Sequence, residues 1–367
     1  YLVKSGANIN RSHKNGFTPL TIASINGVEN VVVCLVKSGA EINQTIKDGF
    51  TSLYLAAQHG HLQTVKYLVD FGAEIDRPTN LASTPLQIAT QNGHELIVEF
   101  LLKSGAEVNR ANYDGFTALH VASQDGHLQT IKYLVESGAE IDRPANLGNT
   151  ALHIAAHNGH ALIVEYLVKS GANINRPDKN GLTPLGVASI NGGENIVDYL
   201  VKSGAEINQT AKDGFTSLHL AAQNGHLQTV KYLVESGAEI DRPTKLASTP
   251  LHIATQNGHE LIVEFLVKSG ADVNRVAKDG YTALRAASFD GHETIVECLV
   301  KSGADINQKD NNGFTSLYAA SQNGHLLTVK YLVESGAEIN SPTNFGLTPL
   351  HIASQNGHET VVEFLVK

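Results

Sequence analysis

Residues 44–76 read QTIKDGFTSLYLAAQHGHLQTVKYLVDFGAEID, and this stretch decides the fold because it comes round again. Its core motif is Thr-x-Leu-x-x-Ala, begun by Thr51. The motif's threonines are Thr18, Thr51, Thr84, Thr117, Thr150, Thr183, Thr216, Thr249, Thr282, Thr315 and Thr348, each 33 residues after the last. No insertion or deletion disturbs the interval. A fixed period of this size marks a solenoid, in which one unit cannot bury its own apolar face and must stack on its neighbours.

Each unit reads as two helices and a loop. Thr51 suits an N-cap, its hydroxyl accepting from a free N–H of the first turn. Proline follows the threonine at Pro19, Pro85, Pro184, Pro250 and Pro349, the first helical position, where a missing N–H costs nothing. Leu53, Ala56 and Ala57 lie on a short helix whose alanines admit a close neighbour, and Gly60 ends it. Leu62, Val65, Leu68 and Val69 share one face of a second helix, stopped by Gly72. The remaining dozen residues carry turn chemistry.

The repeat resembles an ankyrin repeat: the 33-residue length, Gly49-x-Thr-x-Leu-x-x-Ala-Ala, Gly60-His61 and Gly72-Ala73-Glu74-Ile75-Asp76 all match. The resemblance implies an all-α ankyrin-repeat solenoid of stacked helix-turn-helix units with projecting β-hairpin loops. Hairpins and first helices would line a concave face that grips other proteins. Residues 1–367 are expected to form a single array. Its full repeats are 11–43, 44–76, 77–109, 110–142, 143–175, 176–208, 209–241, 242–274, 275–307 and 308–340, with partial repeats at 1–10 and 341–367. At roughly 10 Å per repeat the array would span about 110 Å.

A longer period lies above the short one. Residues 44–76 and 209–241 agree at 28 of 33 positions, and 77–109 agrees with 242–274 at 29 of 33. A block of 165 residues has been duplicated, which predicts two similar ligand sites.

Bulk composition narrows the partners. The net charge is −9, with 27 basic against 36 acidic residues and no long basic run. Non-specific nucleic-acid binding and attraction to anionic membranes both need a basic face, so neither is expected. No stretch is apolar enough to insert in a membrane. Cys34 and Cys298 sit eight repeats apart, far beyond disulfide reach, and a long chain without a disulfide framework suits the cytoplasm. The ends read as cuts from a longer array. Their apolar residues, Leu2 and Val3 at one end and Leu365 and Val366 at the other, are expected to favour end-to-end self-association.

Chemistry is sparse. Of 17 histidines, nine follow the inter-helix glycine and five stand three residues after a motif threonine, as expected of structural groups tying adjacent loops. His59 with His61, or His157 with His160, could supply two zinc ligands, but nothing completes either set. Phosphate-binding and nucleophile motifs are missing, so neither a catalytic residue nor a cofactor is expected.

The informative positions vary against the frame. The residue before the threonine is apolar at Phe17, Phe50, Phe116, Leu182, Phe215, Tyr281, Phe314 and Leu347. Where it is polar, an apolar residue stands two places earlier, at Leu81, Leu147 and Leu246. One reading packs these on the next hairpin; the other makes them a continuous stripe for a partner. Ile25, His59, Ile190 and Phe289 vary at the end of the first helix. Tyr54, Arg285 and Tyr318 replace histidine, and aromatic and arginine residues are common hot spots. These eighteen positions are the candidate partner-binding residues, for a protein or an extended peptide.

A different class of function is a modification substrate. Asn43, Asn109, Asn208, Asn274, Asn307 and Asn340 lie in Leu-x5-Asp/Glu-Ile/Val-Asn segments that resemble targets of an asparaginyl hydroxylase; the plainer role is bonding their own hairpin. A third class is an elastic or cytoplasmic segment of a larger channel or adaptor. Ala82 and Ala247 replace the turn glycine, so those two loops are expected to be rebuilt.

Overall fold

The computed structural model describes residues 6–367, so Leu2 and Val3 lie outside the described residues. Twenty-two α-helices alternate in length through them. In the repeat read above, the first helix is Ser52–Gln58 and the second Leu62–Asp70. Thr51 Oγ1 accepts from the Tyr54 N–H at 3.1 Å, the cap its spacing predicts. Elsewhere the cap is reciprocal: Gln87 N–H donates to Thr84 Oγ1 while Thr84 N–H donates to Gln87 Oε1.

The chain forms two compact units, residues 1–179 and 180–367. The first holds five helix pairs, from Pro19–Ile25 to Ala161–Lys169. The second holds six, from Pro184–Asn191 to Glu359–Leu365. Within each unit first helices pack on first helices and second on second. The core is the same few positions repeated. Leu53, Ala56, Ala57, Val65 and Leu68 are at most 1% exposed, and so are their counterparts Leu218, Ala221, Ala222, Val230 and Leu233. Each large side chain so buried contributes about 1.5–3 kcal/mol, which no repeat could gain alone.

The connecting loops are not β-hairpins. The single bridge among the described residues joins Val276 and Thr282. Each tip is instead a five-residue turn closed by main-chain bonds: Ile46 N–H donates to Phe50 O at 3.0 Å and Gly49 N–H to Ile46 O at 3.1 Å. Five residues are too few for a ladder, and the bonds that would extend one go to the neighbouring tip. Asn80 N–H donates to Asp48 O, Asn146 to Asp114 and Lys179 to Leu147 in the first unit. Lys212, Lys245, Lys278, Asn311 and Asn344 continue the pattern in the second.

The two alanine turns are kept rather than rebuilt. Ala82 and Ala247 hold φ of 60° and 59°, and the closing bonds Thr79 N–H to Ser83 O and Thr244 N–H to Ser248 O are both 2.9 Å. Bonds on either side of the turn fix the backbone, so each alanine accepts left-handed strain of about 1–2 kcal/mol.

Candidate functional site

Most of the polar residues that vary little turn out to be joinery. Each histidine after the inter-helix glycine reaches back 36 residues to a main-chain carbonyl at the end of the preceding first helix. His61 Nε2 donates to Ile25 O at 2.7 Å, His94 to Gln58 O at 3.0 Å and His226 to Ile190 O at 2.8 Å. These histidines therefore tie helix ends, not loops. The glycine before them is required twice over: Gly60 has φ of +80°, and a Cβ there would lie 2.8 Å from Cε1 of His94.

The histidines three residues after the motif threonine complete the N-cap. Thr216 N–H donates to His219 Nδ1 at 3.2 Å, while His219 Nε2 donates to Ser248 O of the next repeat at 3.3 Å. Burial pushes His120 and His219 down to about 4 and lowers His252, so these rings are neutral at pH 7.

The asparagines do not bond their own hairpins. Asn43 Oδ1 accepts from Glu74 N–H at 2.9 Å and its Nδ2 donates to Gly72 O at 3.3 Å, both in the following repeat. Asn109, Asn208, Asn274 and Asn307 do the same one repeat further along each time. Asn340 is exposed and makes no such bond among the described residues. The loop after the second helix is too extended for the side chain to turn back on itself, so the nearest open donors belong to the neighbour.

Three candidate partner-binding residues are withdrawn by burial. Tyr54 and Tyr318 are 5% and 4% exposed, filling the space of the histidine they replace. Tyr54 Oη lies 3.4 Å from Ser83 Oγ, and burial raises both phenols. Arg285 is held inside as well. Its guanidinium pairs with Asp310 of the next repeat at 3.3 Å and stacks between the rings of Tyr281 and Phe314, 4.5 and 5.6 Å from their centroids. Asp310 is fixed in turn by the N–H groups of Asn312 and Phe314.

The apolar tip residues fall into two classes. Those before the threonine are half-buried: Phe17, Phe50, Phe116, Leu182, Phe215, Tyr281, Phe314 and Leu347. Several stack on the side chain four residues on, as Phe50 does on Tyr54, Phe215 on His219 and Phe314 on Tyr318. They pack on their own repeat's first helix. Leu81, Leu147 and Leu246 instead project, 74%, 70% and 64% exposed. Tyr113 at 70% and Phe345 at 71% join them, and the sequence reading missed both. The signal was there: large apolar residues at the second and third positions of a tip, where most repeats carry Lys, Asp or Asn. The expected continuous stripe is thus a set of projecting residues separated by half-buried ones.

At the end of the first helix, His59 and His157 are exposed, while Ile25, Ile190 and Phe289 are half-buried. The main-chain carbonyls of these last three residues accept from the histidine ladder. In the first unit a cavity of about 890 Å³ is lined by Phe17, Ile22, Val28 and Val31 among others. Ile22 and Val31 are 44% exposed there, whereas a neighbour covers their counterparts Leu55 and Thr64.

Family models for ankyrin repeats match residues 1–79, 71–145, 142–211, 179–244, 203–277 and 283–367, and a further ankyrin-repeat model matches 257–300. The chain belongs to the ankyrin repeat family. Ankyrin repeats are protein–protein interaction modules. No curated protein matches this one. No described helix is long and apolar enough to cross a membrane. Among the described residues no three His, Cys, Asp or Glu side chains converge as metal ligands, so the zinc pairs considered above stay incomplete.

Proposed function

We propose that this ankyrin array is a non-enzymatic scaffold that binds partner proteins through its loop tips and the neighbouring ends of its first helices. One observation supports the reading above others. The conserved-looking polar positions are spent on joints between repeats, while Leu81, Tyr113, Leu147, Leu246 and Phe345 stand out in solvent, where they stabilise nothing within the fold. Large apolar side chains exposed on rigid, mutually bonded turns are suited to burial by a partner.

The test is a comparison of two arrays as bait in cell extract, the natural chain and one with all five projecting residues changed to asparagine. Quantitative mass spectrometry should find proteins held by the first and lost from the second, with unchanged circular dichroism. An identical captured set would refute the assignment to the tips.

A further inference from the structure

The duplicated blocks have diverged where it matters for binding. Leu81, Tyr113 and Leu147 occupy three consecutive tips of the first unit, all at least 70% exposed. Their counterparts 165 residues later are Leu246, Lys278 and Asn312. The expectation of two similar sites therefore fails at the tips: one block carries an apolar row, the other a lone leucine beside polar and charged groups. The charge pattern sharpens the contrast. Across residues 79–83, 112–116 and 145–149 the only charged side chain is Asp114, whereas the flanking tips carry Lys47 and Lys179.

The main chain differs at the same place. Successive tips of the second unit are joined by a bond at every step, including Lys278 N–H to Leu246 O at 2.9 Å. In the first unit the corresponding bond between Tyr113 N–H and Leu81 O is missing, and neither group has a protein partner among the described residues. Alanine at the turn does not explain this, since Ala247 precedes a bond that is kept. The following tip differs instead: Asn112 Oδ1 takes the N–H groups of Asp114 and Phe116 there, where the second unit has Ala277. An acceptor and a donor are left open in the middle of the apolar row.

We infer that residues 79–149 dock one extended, uncharged segment of a partner protein that carries an apolar side chain at every third residue. The spacing follows from geometry. Neighbouring repeats stand roughly 10 Å apart, and an extended chain advances about 3.3 Å per residue, so three residues span one repeat. Alternate apolar residues would fall out of step after one tip. The open Leu81 carbonyl and Tyr113 N–H supply the main-chain pairing an extended segment needs. Charge matches as well, because carboxylates in the middle of the segment would face Asp114, and lysines would find no acidic row. The inference rests on the scaffold reading and deepens it by naming one site and one class of occupant.

The probe is a phage-displayed library of random twelve-residue peptides, selected on the full chain. Selection should enrich peptides with apolar residues three apart and no central charge. Individual enriched peptides should bind with a stoichiometry of one. Exchanging residues between the blocks then tests the location without endangering the fold, because each new residue already occupies the equivalent position. The Tyr113→Lys, Leu147→Asn array should lose about tenfold or more in affinity. The Lys278→Tyr, Asn312→Leu array should gain a second site, weaker where the tip-to-tip bond of the second unit is intact. Failure to enrich any peptide, a different spacing, or binding indifferent to both exchanges would overturn the inference. The scaffold reading would survive those results as long as tip-dependent capture from extract persisted.

Discussion

Replacing Gly60 with alanine should open the joint between repeats 44–76 and 77–109, and the structure sets the size of the effect. Two costs add. The first is backbone strain at φ of +80°, about 1–2 kcal/mol for an L-residue. The second is local: the new methyl would sit 2.8 Å from His94 Cε1, displacing the ring and breaking its 3.0 Å bond to Gln58 O. That loss is worth about 1–3 kcal/mol, since a half-buried carbonyl loses its donor. Gly72→Ala supplies the control. Its φ is +93°, yet a Cβ there meets nothing within 4 Å, so only strain applies. A long repeat array does not unfold as one unit, so a single melting temperature is a poor measure. Amide exchange under equilibrium opening conditions is better, read on peptides covering Ser52–Gln58 and Pro85–Gln91. Gly60→Ala should exceed Gly72→Ala by about 2 kcal/mol, roughly thirtyfold faster exchange. Adding His94→Ala to Gly60→Ala should remove the steric part. Equal effects at the two glycines would refute the claim that the histidine ladder holds the joint.

Other outcomes follow from the same contacts. Asp310→Asn leaves the Arg285 guanidinium enclosed without its counter-charge and should cost about 2–4 kcal/mol locally, seen as faster exchange confined to residues 275–340. Acid should loosen the array. His120 and His219 titrate at about 4 when folded against 6.5 when free, so the unfolded chain binds more protons and stability falls as pH drops through that window. At pH 5.5 each contributes a loss of about 1.4 kcal/mol. His219→Gln should keep the cap, as Gln87 does at Thr84, while removing that histidine's share of the acid sensitivity in melts at pH 7 and 5.5. Phe215→Ala should lower thermal stability by about 1–2 kcal/mol through lost stacking on His219, with partner capture falling only as far as the tip loosens.

The period made the fold legible, and it did so through residues that must recur at every joint: Thr51 as cap, Gly60 as turn, His94 as tie. The site was harder to read because exposure is not periodic. Phe50 and Leu81 are both apolar tip residues, yet one lies against Tyr54 and the other projects, a difference set by two places in a five-residue turn. Variation from the frame also misled. Tyr54, Tyr318 and Arg285 replace histidine, and each fills the histidine's buried space rather than the surface. Arg285 could be accommodated only because Asp310 stands one repeat on, a pairing across 25 residues that no short motif reveals. The asparagines' spacing was plain, but which hairpin they bond depends on chain direction after the second helix.

The ties between repeats end, for the most part, on main-chain atoms. His61, His94 and His226 reach carbonyls, and Asn43, Asn109 and Asn208 reach an N–H and a carbonyl. Every residue supplies those atoms, so one repeat can follow another without matched side chains having to change together. Such a chain can be lengthened, shortened or shuffled by unequal crossing-over and still close each new junction, which accounts for a 165-residue block being copied whole. Arg285 and Asp310, the one ion pair between repeats among the described residues, mark the exception. Repeats 275–307 and 308–340 are bound to be inherited as a couple, because separating them strands a charge in each.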